Sequence, residues 1–239
     1  MADRNTPRCS ICGVKKTDRA CQATDGAGPD FCPTIHSKIT IEKALKEYDR
    51  PEIREFARMS TLQGAEGFSK SHLEANLRVP TKPRVQEICE LAKKMGYKKL
   101  GVAFCSGLAS EARVLNDILN SQGFEVVSVT CKTGCTDKTE IGVKESEKTQ
   151  IGAHESMCSP IAQAILLNEE KTDFNIMLGL CVGHDSLFLK YSEAFTTVLV
   201  VKDRVLAHNP VAALYTTGNY FARLLRPGID SLEATASEK

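Results

Sequence analysis

The chain has 239 residues, 42% of them hydrophobic, with 31 basic against 30 acidic side chains, ten cysteines and no tryptophan. That length and apolar share suffice for a buried core and exclude intrinsic disorder, and a net charge of +1 leaves no global field to recruit nucleic acid or an anionic membrane. No apolar run approaches the roughly 18 residues of a membrane span, and the opening MADRNTPRCSICG lacks the apolar stretch of a secretory signal, so the expected location is cytoplasmic. In a reducing compartment so many thiols point to metal ligation or thiol chemistry rather than to structural disulfides.

Residues 1–37 show neither the helical nor the strand period and form an expected cysteine-rich metal-binding knuckle. Cys9, Cys12, Cys21 and Cys32 are spaced C-x2-C-x8-C-x10-C, with Pro33 after the last. A C-x-x-C pair grips one metal from a tight turn and two later cysteines complete a sulfur site. A Cys-Pro ending also occurs in iron–sulfur motifs, so the spacing leaves zinc and a cluster both open. His36 is a possible substitute ligand. Metal ligation also explains how a segment without a core folds.

Residues 38–97 read as a helical connector: IEKALKEY, then PEIREFARMSTLQG starting at Pro51, then PRVQEICELAKKMG stopping at Gly96. Cys89 falls among the apolar positions of the last helix and is assigned to the core.

From 98 to 230 short apolar runs alternate with amphipathic segments, the pattern of an α/β fold with an open, mainly parallel sheet. Strands are predicted at 100–105, 124–130, 174–180 and 196–201, in the order 2-1-3-4, flanked by helices. A short return strand over RVLAH and a last helix over PVAALYTTGNYFARLL follow, with Asn209 and Pro210 at the helix start. Residues 231–239 are an expected frayed tail.

Three predicted strands end at a cysteine: Cys105, Cys131 and Cys181. Ligands of open parallel sheets bind at the carboxyl ends of the strands, and Cys158, just before the helix start Ser159-Pro160, returns to the same edge in a right-handed crossover. The four thiols would repel one another as thiolates, a conflict that a cation or an iron–sulfur cluster resolves. Each taken singly is equally a small core residue. Cys135 has three readings, a fifth ligand, a resolving thiol or a bystander.

Around this crevice His184 is a candidate proton donor or acceptor, with Asp185 beside it as the tuning carboxylate; a helix cap is the plainer role for Asp185 and Ser186. Lys202-Asp203-Arg204 reads as a tight turn that, if it overhangs the crevice, supplies positive charge. The 132–157 stretch exceeds the about 12–15 residues of an ordinary loop and is a plausible lid, with His154 near its end.

The segments CSICG, GVAFCSGLASEA, SVTCK, MCSPIAQAILLN and LGLCVGHDSLFLKYSEAFTTVLVVKDRVLAHNPVAALY resemble the bacterial and archaeal family known as domain of unknown function 1847, over nearly the whole chain. Its members are often labelled metal-binding proteins. The resemblance implies that Cys9, Cys12, Cys21 and Cys32 match the family's amino-terminal cysteine motif and that Cys105, Cys131, Cys158 and Cys181 stand at its later cysteine positions. Cys135 stands outside that pattern.

The leading expectation is an iron–sulfur protein, with a cluster of the 4Fe–4S type in the crevice used for electron transfer or small-molecule chemistry and zinc or a second cluster at the amino terminus. Alternatives are an enzyme using Cys105 as nucleophile beside a structural zinc, and a non-catalytic metal carrier or sensor. A small-molecule substrate or a redox partner protein follows from these readings. No phosphate-binding glycine motif or basic aromatic surface points to nucleotides or nucleic acid.

Overall fold

Glycine and proline punctuate the chain where the predicted elements begin and end, and most of those elements form. The computed structural model describes residues 6–70 and 77–228. It divides into two units, Met1–Pro80 and Thr81–Lys239, each taken by itself. The predicted tail at 231–239 lies outside the described residues.

The first unit starts with 3-10 turns at Cys9–Ile11 and Lys16–Asp18, followed by α1 (Pro33–His36), α2 (Lys38–Glu47) and α3 (Pro51–Glu66). Pro33 and Pro51 stand in first turns, where a missing N–H costs nothing. An antiparallel ribbon of β1 (Phe68–Lys70) and β2 (Arg78–Pro80) closes the unit. It falls inside the stretch read as a helical connector, because three-residue strands are too short to show alternation. No residue from 6 to 37 is buried, so this segment has no apolar core of its own, in keeping with its composition.

The second unit runs α4 (Arg84–Lys94), β3 (Lys99–Phe104), α5 (Ala109–Ser121), β4 (Glu125–Thr130), α6 (Pro160–Glu169), β5 (Phe174–Leu178), α7 (His184–Tyr191), β6 (Thr196–Val200) and α8 (Val211–Tyr215). The four strands form one parallel sheet in the order β4-β3-β5-β6, the expected 2-1-3-4 arrangement. β5 is buried along its whole length, as a central strand covered on both faces must be. Ala103, Val129 and Met177 of the sheet pack with Ala164 and Leu167 of α6 and Phe188 of α7 on one side. Cys89 of α4 is buried, as expected of a core residue.

Gly101 lets the two middle strands accept a buried amide. A Cβ at this position would lie 2.1 Å from Oδ1 of Asn175. Asn175 is itself fixed, accepting from the Thr172 hydroxyl at 2.8 Å and donating to Ser192 Oγ at 2.9 Å.

Two expectations are corrected. The segment RVLAH is a turn and not a return strand. Asp203 Oδ1 accepts the amides of Val205 at 3.0 Å and Leu206 at 2.9 Å, and Ala207 and His208 take φ of 48° and 64°, so the backbone is committed to local bonds and cannot offer a ladder. The last helix is only α8, followed by turns and a 3-10 turn at Ala222–Leu225; Gly218 and a run of Thr and Asn interrupt it.

Candidate metal and thiol centres

At the carboxyl edge of the sheet the backbone itself delivers the sulfur atoms. The Cys105 amide donates to Leu178 O at 3.1 Å and the Cys131 amide to Phe104 O at 2.9 Å, so each cysteine continues the ladder one residue beyond its strand. Ser159 N donates to Cys131 O at 2.7 Å, which fastens the Cys158 loop end to the β4 end. Beneath them Gln163 of α6, fully buried, donates Nε2 to Phe104 O at 3.1 Å and Val129 O at 2.7 Å, pinning the ends of β3 and β4 side by side. Cys181 leads into α7, its carbonyl accepting the amides of His184 and Asp185 at 3.0 and 3.1 Å.

The four thiols form a chain of neighbours. Cys131 Sγ accepts from the Ser106 amide at 3.3 Å and lies within hydrogen-bonding reach of both Cys105 and Cys158. Cys181 adds to the repulsion at Cys158. Cys105 and Cys131 are 9% and 3% exposed and pack into the core beside Leu180, with Cys158 at their edge. Burial and the Cys131 thiol push Cys158 up to about 11. Burial also works against ionising Cys105, but the Gly107 amide, the Lys202 ammonium and the Cys131 thiol outweigh it and hold Cys105 below the usual thiol value.

Lys202 and Arg204 do overhang this crevice. Lys202 reaches Cys105, and Arg204 Nη2 donates to Cys181 Sγ at 3.1 Å. The Asp203-centred turn holds both in place, with His208 Nδ1 accepting the Asp203 amide at 3.1 Å. Gly179, at φ +68°, passes close beneath: a Cβ there would meet Leu108 Cδ1 at 2.0 Å and Lys202 Cε at 3.8 Å. The sequence marked the basic turn but not its sulfur partners, nor the Ser106 and Gly107 amides, whose direction only the fold fixes.

His184 opens α7 three residues after Cys181, half-buried, and its imidazole has no hydrogen-bond partner among the described residues. Asp185 does not pair with it: Oδ1 accepts the amides of Gly183 at 2.9 Å and Ser186 at 2.7 Å, the cap role. Cys135 and His154 meet each other in the loop after β4, with Sγ and Nε2 3.5 Å apart.

In the first unit Cys9, Cys12, Cys21 and Cys32 line one cavity of about 70 Å³ with Arg19, Phe31 and other residues. Arg19 ties the knuckle from inside, donating Nε to Val14 O at 2.8 Å. Gly28 is required there, because a Cβ would fall 2.7 Å from Cys32 Sγ. His36 ends α1 and does not line this cavity.

Both sets are soft thiol donors, the chemistry that suits zinc or iron–sulfur. Among the described residues no three His, Cys, Asp or Glu side chains are grouped tightly enough to hold a metal ion as they stand. No helix among the described residues is long and apolar enough to cross a membrane.

The sequence profile of the family described as "Protein of unknown function (DUF1847)" matches residues 32–199, a span that holds Cys32 and all four crevice cysteines but neither Lys202 nor Arg204. A relative from Methanocaldococcus jannaschii, named uncharacterized protein MJ0455, is 45% identical over 191 residues, covering 80% of this chain and 90% of that protein. No solved structure matches the chain. With a profile match over more than half of its length and so extensive a relative, the chain belongs to the DUF1847 family.

Proposed function

We propose that this chain is an iron–sulfur protein whose cluster, of the 4Fe–4S type, is held by Cys105, Cys131, Cys158 and Cys181, with zinc or a second cluster on Cys9, Cys12, Cys21 and Cys32. The observation that carries the reading is the pairing of Lys202 with Cys105 and of Arg204 with Cys181. A cluster bound by four thiolates is a net anion in a partly buried crevice, and two fixed cations beside its ligands offset that charge. When bound, the cluster supplies one-electron transfer or, with one ligand withdrawn, a Lewis-acidic iron. The chain's own part is to set its potential through the Ser106 and Gly107 amides and the two cations, and to offer the half-buried His184 as proton donor or acceptor toward a small substrate.

The test is iron and acid-labile sulfide analysis of anaerobically prepared protein, repeated on Cys105→Ala and Cys12→Ala. Sulfide and iron lost in the first variant, and a separate metal pool lost in the second, are the expected results. Stoichiometric zinc with no iron or sulfide in the wild type would sink the cluster reading.

One observation favours a second reading, in which Cys105 is a nucleophile beside a structural metal at the amino terminus: Cys105 is held below the ordinary thiol value by the Gly107 amide and Lys202 in spite of burial. Rapid alkylation of Cys105 by iodoacetamide in metal-replete protein would support it, since a ligating thiolate is shielded.

A further inference from the structure

The loop between β4 and α6 is built around a carboxylate. Asp137 Oδ1 accepts from the Thr139 amide at 3.0 Å and from the Lys148 ammonium at 2.9 Å, while Oδ2 accepts from the Glu155 amide at 2.9 Å. These contacts, the Thr139 amide foremost, hold the Asp137 carboxyl well below the usual range. The remaining neighbour of Oδ2 is His154, whose Nδ1 lies 3.3 Å away. The opposite ring nitrogen, Nε2, is 3.5 Å from Cys135 Sγ, and Ser156 Oγ stands 3.0 Å from Nε2 and 3.4 Å from Sγ. A carboxylate, an imidazole and a thiol are thus in line, each within reach of the next.

Cys135 itself is exposed and sits at φ 49°, directly after Gly134 at φ 97°. Left-handed backbone at a residue with a Cβ costs about 1–2 kcal/mol and turns the thiol outward from a tight turn. A polar cavity of about 370 Å³ adjoins two members of the triad, Asp137 and His154, with Thr139, Glu145, Lys148, Gly152 and Ala153 completing its lining; Cys135 stands outside that lining. The charge of Lys148 is consumed by Asp137 and Glu145, at 2.9 and 2.8 Å. The cavity therefore has no unpaired lysine for an anion and suits a neutral or cationic molecule.

We propose that Cys135, His154 and Asp137 form a nucleophilic thiol centre, separate from the four-cysteine crevice, that accepts the acyl group of a small neutral ester or thioester. His154 Nε2 takes the proton from Cys135 Sγ, and Sγ attacks the acyl carbon, forming an S–C bond. The bond from that carbon to the leaving group breaks, and the leaving alcohol or thiol takes the proton back from His154. Water then attacks the thioester, its proton passing through His154 to Sγ, and the free acid and the thiol are restored. Asp137 acts as a positioning residue, fixing the ring so that Nε2 faces the sulfur.

The probe is p-nitrophenyl acetate, with nitrophenol release followed by absorbance and the adduct located by mass spectrometry. Trypsin isolates residues 133–138, a peptide in which Cys135 is the lone cysteine. The expected result is an acetyl group on that peptide and release slowed about 100-fold in His154→Ala, with free imidazole restoring part of the rate. His154 is exposed, so its loss removes no core packing. Equal rates in wild type and His154→Ala, no acetyl group on the 133–138 peptide, or slowed release that imidazole does not restore would each overturn the proposal. The readouts are acetylation at Cys135 and its dependence on His154, not iron or sulfide content, so failure here and failure of the cluster reading are distinguishable.

Discussion

Cys105 and Cys158 share one crevice yet are pulled in opposite directions. Both lose solvent, which disfavours a thiolate. Cys105 recovers the loss through the Gly107 amide and Lys202, while Cys158 meets the sulfur of Cys131 instead and rises to about 11. In metal-free protein at pH 8, alkylation should therefore label Cys105 at least about tenfold faster than Cys158, and Lys202→Met should narrow the gap; equal labelling, read by mass spectrometry of the two peptides, would count against the assigned environments. Cys105 was legible because it follows an apolar run directly, and Cys158 because it precedes the helix start Ser159-Pro160. The triad was not. His154 lies 19 residues after Cys135, and nothing in residue type or spacing says that a loop will fold back on itself.

Among the elements, the sheet is the most legible, since β3 and β5 are mostly apolar runs, broken only by Lys99 and Asn175, and their helices carry a clear period. Their close packing depends on one missing side chain. Gly101→Ala would drive a methyl into Asn175 Oδ1 and should destabilise the second unit by about 1–3 kcal/mol, measurable by urea unfolding. The return strand and the long last helix failed as predictions because apolar residues such as Val205 and Leu214 have strand or helix character but remain exposed, with local turn bonds winning the backbone. The β4–α6 loop is held instead by ionic and amide contacts. Glu155 accepts from Lys138 and from the amides of Thr149 and Gln150, and is held down to about 2 from an ordinary value of 4.5. Its folded value lies below its unfolded one, so the unfolded chain binds more protons in between, and stability rises with pH there. The protection factors of amides in residues 137–155 should be high above about pH 4.5 and fall as pH drops toward 2, ahead of those in β5. Simultaneous loss of protection in both segments would show that these carboxylates do not govern the loop.

For the whole molecule, the amino-terminal four cysteines were grouped from spacing and the crevice four from strand ends and a helix start, whereas the sulfur partners of Lys202 and Arg204 and the neighbours of Cys135 required the fold. The β4–α6 loop joins these levels, because its two ends carry Cys131 and Cys158. Any metal centre gripping both sulfurs would close the intervening segment into a covalent-like ring. By chain-entropy reasoning a crosslink over a loop of that size removes unfolded-state freedom worth about 3–4 kcal/mol. Cofactor loading would then act as a fastener on a long irregular stretch, so that the state of the crevice is felt as rigidity at Cys135 and His154, beyond the sheet edge itself.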